Sequence, residues 1–413
     1  MKPLLITSLV AYSQIAYSQE SNNDTKDLEE LVENKNIPKK GKLYIAPLPV
    51  IASNPAYGLI YGVAASGSMF MGDPKTTKMS NVLATATYTT KDQLMLLMRG
   101  NIYSNENKWM FQSDYRLMLS SQPTYGLGTG STEHFNSPRY SVFDEKDNTN
   151  GELMNFDFFR IHQTALKEIK PSFYVGTGIH FDRFANIVDE NLDVENGDLT
   201  HHYVYSQKHG FDPNGYNLLG LSATALYDTR DNIANPYEGR FLNASFRYNG
   251  EVLGNSTGSS TLFLEYREYI SLSKKVPRNI LALWTYANVT THGHLPYMAL
   301  PSTAWDQMGR SGRGYAQGRF RGEDLFYAEA EYRFRLPLIG SKPDLLGGVL
   351  FANATSVAAR DAKERLMQNW NMGYGAGLRI QIQKATRTNI GIDYGMNTAG
   401  EGGALYLNLT EYF

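Results

Sequence analysis

Four arginines crowd one short run of this chain, Arg310-Ser311-Gly312-Arg313-Gly314-Tyr315-Ala316-Gln317-Gly318-Arg319-Phe320-Arg321-Gly322. Soon after it stand Glu329 and Glu331, and far downstream Asp393. Residues two apart on a strand share a face, so Glu329 and Glu331 present two carboxylates side by side. The chemistry open to such a set is ion pairing. A planar guanidinium fork matches a carboxylate in two-point contact, and a confined arginine needs that partner. Gly314 permits a tight backbone turn beside Arg313, and Tyr315 adds a ring that can pack against a wall.

Other reactive groups are less organised. His201-His202 reads as a loop pair, because no carboxylate follows at a metal-ligand spacing. Asp228, Asp231 and Glu238 crowd one turn, where they suit turn and cap chemistry better than a calcium loop. His162 and His180 fall on expected strands, but neither has an acidic residue placed to orient it, so no Ser-His-Asp arrangement emerges. The absence of cysteine removes disulfides and thiolate metal sites. No phosphate-cradling loop or cofactor motif is present. The expectation is a protein that is not an enzyme and carries no metal and no cofactor.

The elements that must position these residues alternate. Ile390, Ile392, Tyr394 and Met396 fall on one face, against Gly391, Asp393 and Gly395. Tyr374, Ala376, Leu378, Ile380 and Ile382 oppose Gly375, Gly377, Arg379, Gln381 and Gln383. After the arginine run, Glu329, Glu331, Arg333 and Arg335 oppose Ala328, Ala330, Tyr332 and Phe334. A period of two with one apolar and one charged face fits a wall with lipid outside and water inside. Mean hydropathy is -0.38, too polar for a bundle of membrane helices, whereas a barrel hides its hydrophobicity by alternation. A net charge of -2 gives no sign of a nucleic-acid partner.

The fold class expected is all-β, an antiparallel transmembrane barrel of about 16 strands, the even number usual for bacterial single-chain barrels. The strands run from 42–52 to 402–413. The first two are the weakest, because Pro47, Pro49 and Pro55 interrupt them. Strands at 107–120, 151–166 and 171–184 flank the first long loops. Segments 121–151, 185–215, 293–322 and 359–369 are long and fall at one end. The turns near 167–171, 230–240, 274–278, 339–344 and 384–386 are short and fall at the other, the periplasmic end of such a barrel. Lys2, the apolar run 4–10 and Ala16-Tyr17-Ser18 have the order of a secretory signal peptide at 1–18. Residues 19–40 read as a short polar periplasmic linker, too short for a domain, and 41–413 as the barrel.

The Arg-Gly-Tyr at 313–315, inside a long loop and followed by a strand containing Glu331-Tyr332-Arg333, resembles the BamA/TamA superfamily of outer-membrane assembly and translocation barrels, the bacterial surface antigen type. Asp228-Thr229-Arg230-Asp231-Asn232, with Pro236 and Gly239 behind it, resembles that family's periplasmic turn signature. Pro47-Leu48-Pro49-Val50 and Gly375-Ala376-Gly377-Leu378-Arg379 resemble further parts of its barrel. The resemblance covers roughly residues 42–413 and implies that the long loop folds into the lumen, its arginine meeting acidic residues of the inner wall. It also implies a C-terminal strand signal at Phe413, and a weak seam between first and last strands through which a client pairs or escapes. The chain departs from the family pattern in three places. It looks like a short member without room for POTRA domains. Phe351-Ala352-Asn353 puts a neutral residue where the family has an acidic one. Glu411 stands where an outward apolar residue is usual.

Together these features lead to a bacterial outer-membrane barrel acting in protein or lipid assembly or translocation, with a passive pore as the alternative. Its expected partners are outer-membrane lipids and lipopolysaccharide, client outer-membrane proteins, and separate periplasmic or lipoprotein factors. The small-x-small site before Gln19 predicts a mature chain starting there. Mass spectrometry of protein taken from outer membranes checks this, and an intact Met1 or a cut well past Lys40 refutes it.

Overall fold

The computed structural model describes residues 40–54, 58–130, 151–232, 235–253, 255–273, 276, 278–305, 310–336, 345–383, 387–409 and 411–413. The expected leader and nearly all of the expected linker lie outside these residues. Sixteen strands form one sheet in sequence order. They are β1 Tyr44–Asn54, β2 Gly58–Met69, β3 Ser80–Thr89, β4 Leu94–Tyr103, β5 Trp109–Thr124, β6 Glu152–Lys170, β7 Phe173–Asp189 and β8 Tyr216–Asp228. There follow β9 Gly239–Asn249, β10 Ser259–Ser271, β11 Ile280–Gly293, β12 Asp324–Arg335, β13 Leu346–Ala358, β14 Asn371–Gln383, β15 Thr388–Asn397 and β16 Gly403–Leu409. Each neighbouring pair is antiparallel.

Alternation decides which face each side chain takes. On β12, Glu329, Glu331 and Arg333 are buried while Tyr332 is exposed. On β14 and β15, Arg379 and Asp393 are buried while Tyr374, Leu378, Ile392 and Tyr394 are exposed. The charged side chains therefore face the inside of the barrel, and the large apolar ones cover its outer wall. An apolar band of that extent on a protein surface marks a lipid or partner interface.

Three boundaries differ from the sequence reading. Strands β5 and β7 extend several residues further at their long-loop ends, and β6 extends to Lys170 at its short-turn end. Pro47 and Pro49 do not break β1. Both sit within its ladder, opposite Ala65 and Val63, which an edge strand tolerates because its outer N–H groups need no partner. The last strand stops at Leu409, and Glu411, Tyr412 and Phe413 turn inward and are buried. Phe413, expected as an outward strand signal, instead packs inside against Trp284, at 5.3 Å between ring centres. Glu411 pulls the segment in, since a carboxylate cannot face the apolar outer wall and its pairing arginines lie inside.

The end with short turns is bridged. The turn after β8 reaches the turn before β15, where Asn235 Nδ2 donates to the Arg387 carbonyl at 3.3 Å and the Arg387 guanidinium lies 4.1 Å from the Tyr237 ring centre. Arg387 also pairs with Asp231. Asp231 Oδ1 accepts from the main-chain N–H of Tyr237 and Glu238, at 2.9 and 3.3 Å. Arg387→Ala should loosen this bridge by on the order of 1–2 kcal/mol. The measurement is hydrogen exchange at the Tyr237 and Glu238 amides, which should quicken; unchanged exchange there refutes the bridge.

Candidate functional site

Residues 294–305 and 310–323, in the connection from β11 to β12, dip into the barrel. They can lie flat on the wall because glycines clear a path. A Cβ on Gly373 would sit 2.1 Å from the Arg313 carbonyl oxygen, so only glycine admits the loop backbone there. Gly314 adopts φ of 105°, a conformation closed to other residues, and its own Cβ would strike the Met396 carbonyl at 2.4 Å. Side chains then pin the backbone. Asn353 Nδ2 donates to the Arg313 carbonyl at 2.9 Å, Asn397 Nδ2 to the Gly314 carbonyl at 2.7 Å, and the Gly314 N–H donates to Tyr406 Oη at 2.8 Å. Tyr315 packs edge-on to Phe320 with 4.8 Å between ring centres, and its hydroxyl donates to the Met372 carbonyl at 3.0 Å.

Arg313 is wholly buried. Its Nη1 donates to Asp393 Oδ2 at 2.8 Å, and its Nη2 meets both Glu329 and Glu331. The guanidinium is sandwiched between the rings of Phe351 and Tyr412, at 3.6 and 4.0 Å. The structure thus gathers Arg313, Gly314, Tyr315, Glu329, Glu331 and Asp393 into one site.

Several contributors were not visible in the sequence. Arg379 donates to Glu411 Oε2 at 2.7 Å and to Asp393 Oδ2 at 3.2 Å. Arg333 donates to Glu331 Oε2 at 2.7 Å and to the Phe413 carbonyl at 2.9 Å. Asn389 donates to Glu411 Oε1 at 2.6 Å. Asn353, read as a lost acidic partner, serves the loop by donating from its amide, which a carboxylate could not do. The signal available for these was strand parity, which put Arg333 and Arg379 on the inner face but could not bring the strands together.

The four loop arginines separate. Arg310 donates to the main-chain carbonyls of Glu411 and Tyr412. Arg319 holds Glu401 near the surface at 2.6 Å. Arg321 is wholly buried and donates to the carbonyls of Tyr297 and Met298, at 3.1 and 3.2 Å.

The turn signature is a separate structure at the other end. Arg230 clasps Asp228 at 2.9 and 2.7 Å, Asn232 Oδ1 accepts from the Asn235 N–H at 2.9 Å, and Pro236 is buried beside it. Gly239, at φ of 103°, closes the turn. None of these residues touches Arg313.

The histidines correct the sequence reading. His162 does have an acidic partner, Asp182, at 2.9 Å, and Asp182 also accepts from Arg160 at 2.5 Å and Arg247 at 2.9 Å. His180 bonds Ser222 Oγ at 2.8 Å. The carboxylate therefore orients one imidazole and the serine faces the other, so no single relay links all three. His201 and His202 are not loose loop residues either. They open a helix, α1 His201–His209, where His202 is buried and His201 Nδ1 lies 2.6 Å from Glu152 Oε1.

What this centre can do is hold a long loop inside a barrel by non-covalent charge pairing. Arg313→Ala leaves three carboxylates short of a cation and should cost about 3–5 kcal/mol, the range for breaking a buried pair. Adding Asp393→Asn should recover part of that loss. Urea unfolding of the single and double variants checks the coupling; strictly additive losses refute it.

The Omp85 superfamily domain model matches residues 155–407. A crystal structure of BamA from Haemophilus ducreyi lacking POTRA domains 1–3 is similar at a TM-score of 0.56 and 12% identity, over 87% of this chain and 67% of that one. CdiB from Escherichia coli is similar at a TM-score of 0.53 and 10% identity, over 88% of this chain and 60% of that one. At such identities the likeness carries the fold alone, and this chain spans about two thirds and three fifths of the two relatives' lengths. No curated protein matches the sequence. The matched domain covers more than half of the chain and contains β7 to β15 with the Arg313 loop, and the chain belongs to the Omp85 superfamily.

Proposed function

We propose that this barrel sits in a bacterial outer membrane and acts, without covalent chemistry, in the assembly or translocation of outer-membrane proteins or lipids. Its working part is the seam between β1 and β16. One observation carries the reading. The wall is laddered from β1 to β16, but β16 follows it only from Gly403 to Leu409 before the chain turns inward. Among the described residues no ladder joins β16 to β1. An unpaired strand edge is a template for another strand, so a client strand can add there by main-chain hydrogen bonds. The partners on this reading are client outer-membrane proteins, periplasmic or lipoprotein factors that deliver them, and the lipid and lipopolysaccharide around the wall.

A passive pore has less support. A 16-stranded barrel conducts when its lumen is empty. Here the lumen holds the Arg313 loop, with Tyr315 and Phe320 packed among Trp284, Tyr286, Tyr327 and Phe413.

Cysteine pairs placed between β1 and β16 test the seam. They should crosslink partially or over a fraction of its length, and a crosslink that locks it should abolish client insertion. A fully protected ladder across the seam in hydrogen exchange, with steady ohmic conductance in planar bilayers, refutes the seam and favours the pore.

A further inference from the structure

The long-loop end carries a dome that the arginine centre does not use. Helix α1, in the 190–215 connection, lies across it. At its first turn the His201 N–H and Nδ1 both reach Glu152 at the start of β6, with Nδ1 at 2.6 Å. Thr200 caps the helix by accepting from the Tyr203 N–H at 3.3 Å. At its last turn Lys208 and His209 both grip Asp361, in the 359–370 connection, at 2.8 Å each. The His209 ring lies against His294, 3.9 Å between centres and tilted by 31°. His294 belongs to the connection that carries Arg313. One residue on, the Leu295 carbonyl accepts from Tyr205 Oη at 3.1 Å.

The two ends of the helix treat a proton differently. His201 has its own carboxylate. Burial opposes its charge, but the hydrogen bond and charge of Glu152 outweigh burial and hold its pKa above the ordinary value. His294 has none, because Asp361, the acid facing it, is held by Lys208 and His209. The other charged groups around it are the cations Lys208 and Arg360 and the ring of His209. Its Nδ1 is buried without a hydrogen-bond partner among the described residues. Burial, with His209 beside it, pushes His294 below the ordinary histidine value.

We propose that the His209–His294 contact is an acid-released latch between helix α1 and the connection that carries Arg313, and that the His201–Glu152 and Asp361 contacts hold the helix in place while the latch opens. A proton on His294 places positive charge ring against ring with His209, next to Lys208 and Arg360, and gives Nδ1 a hydrogen with no acceptor. The docked helix binds that proton more weakly than the free one. The latch is therefore fully closed above the ordinary histidine value of 6.5 and weakens as pH falls below it. The His201–Glu152 contact has the opposite sign. Its contribution is full below 6.5 and is lost as pH rises through the raised value of His201. Acid thus parts the helix from His294 while Lys208 and His209 keep their hold on Asp361 and the other end tightens. The loop released is the one that holds Arg313, so the acidity outside reaches the luminal loop by direct packing.

Spin labels at Gln207→Cys and His292→Cys, both exposed positions, report the gap between helix α1 and the connection that begins after β11, in the full chain in lipid nanodiscs. Between about pH 7.5 and about pH 5.5 a second, longer distance should appear, its population rising by at most about tenfold per pH unit for one linked proton. His294→Phe keeps a ring against His209 and removes the charge, so the longer distance should vanish; His294→Gln, a second uncharged replacement, should do the same. Identical distances at both pH values in the otherwise unchanged protein overturn the proposal. So does an acid response that persists in both variants.

Discussion

A guanidinium group taken out of water must find anions, and Arg313 finds them on two separated stretches of wall. Glu329 and Glu331 come from β12, and Asp393 comes from β15. Between those strands lie β13 and β14, whose glycines and Asn353 let the loop backbone touch the wall. A small outward shift of the loop would strand a buried cation and Glu329, and leave Glu331 and Asp393 with Arg333 and Arg379 alone, which costs far more than losing an ordinary surface pair. That asymmetry makes the loop's position close to all-or-none.

The same constraint governs the last residues of the chain. Glu411 meets Arg379, Tyr412 stacks on Arg313, and Phe413 lies among Trp284 and Tyr269. Each inward contact removes a residue from the strand that would otherwise extend the wall beside β1. The luminal centre and the end of the sheet are thus coupled through one continuous network of side chains.

The lumen is divided by chemistry. Towards β6–β9 a second charged group gathers on Asp182, with Arg160, Arg247 and His162, beside a cavity of about 240 Å³ that also touches Met298 and Trp305 of the inward loop. At the short-turn end the Asp231–Arg387 bridge ties strands far apart in sequence. Both clusters tie together parts of the barrel other than the Arg313 centre.

Much of this was legible in the sequence because a strand's period of two survives without knowing its neighbours. Alternation put Glu329, Glu331, Arg333, Arg379 and Asp393 on the inner face and Tyr332, Leu378 and Tyr394 outside, and the contrast of long and short connections ordered the sheet. Periodicity says nothing about which distant strands meet across a lumen. That is why Asn353 as a donor to the loop and Glu411 as the mate of Arg379 were out of reach, whereas Asp182 and His162 lie on the adjacent strands β6 and β7 and meet through the register of that hairpin. The inward turn of Phe413 was misread for a related reason. A local pattern continues a strand as long as residues alternate, and only the pull of buried arginines on Glu411 ends it. The sequence by itself determined strands, faces and the loop that had to find anions. It also named Glu329, Glu331 and Asp393 as the anions for Arg313; the tertiary structure decided how they meet it together, which further cations share them, and that the last residues of the chain turn inward to surround the site.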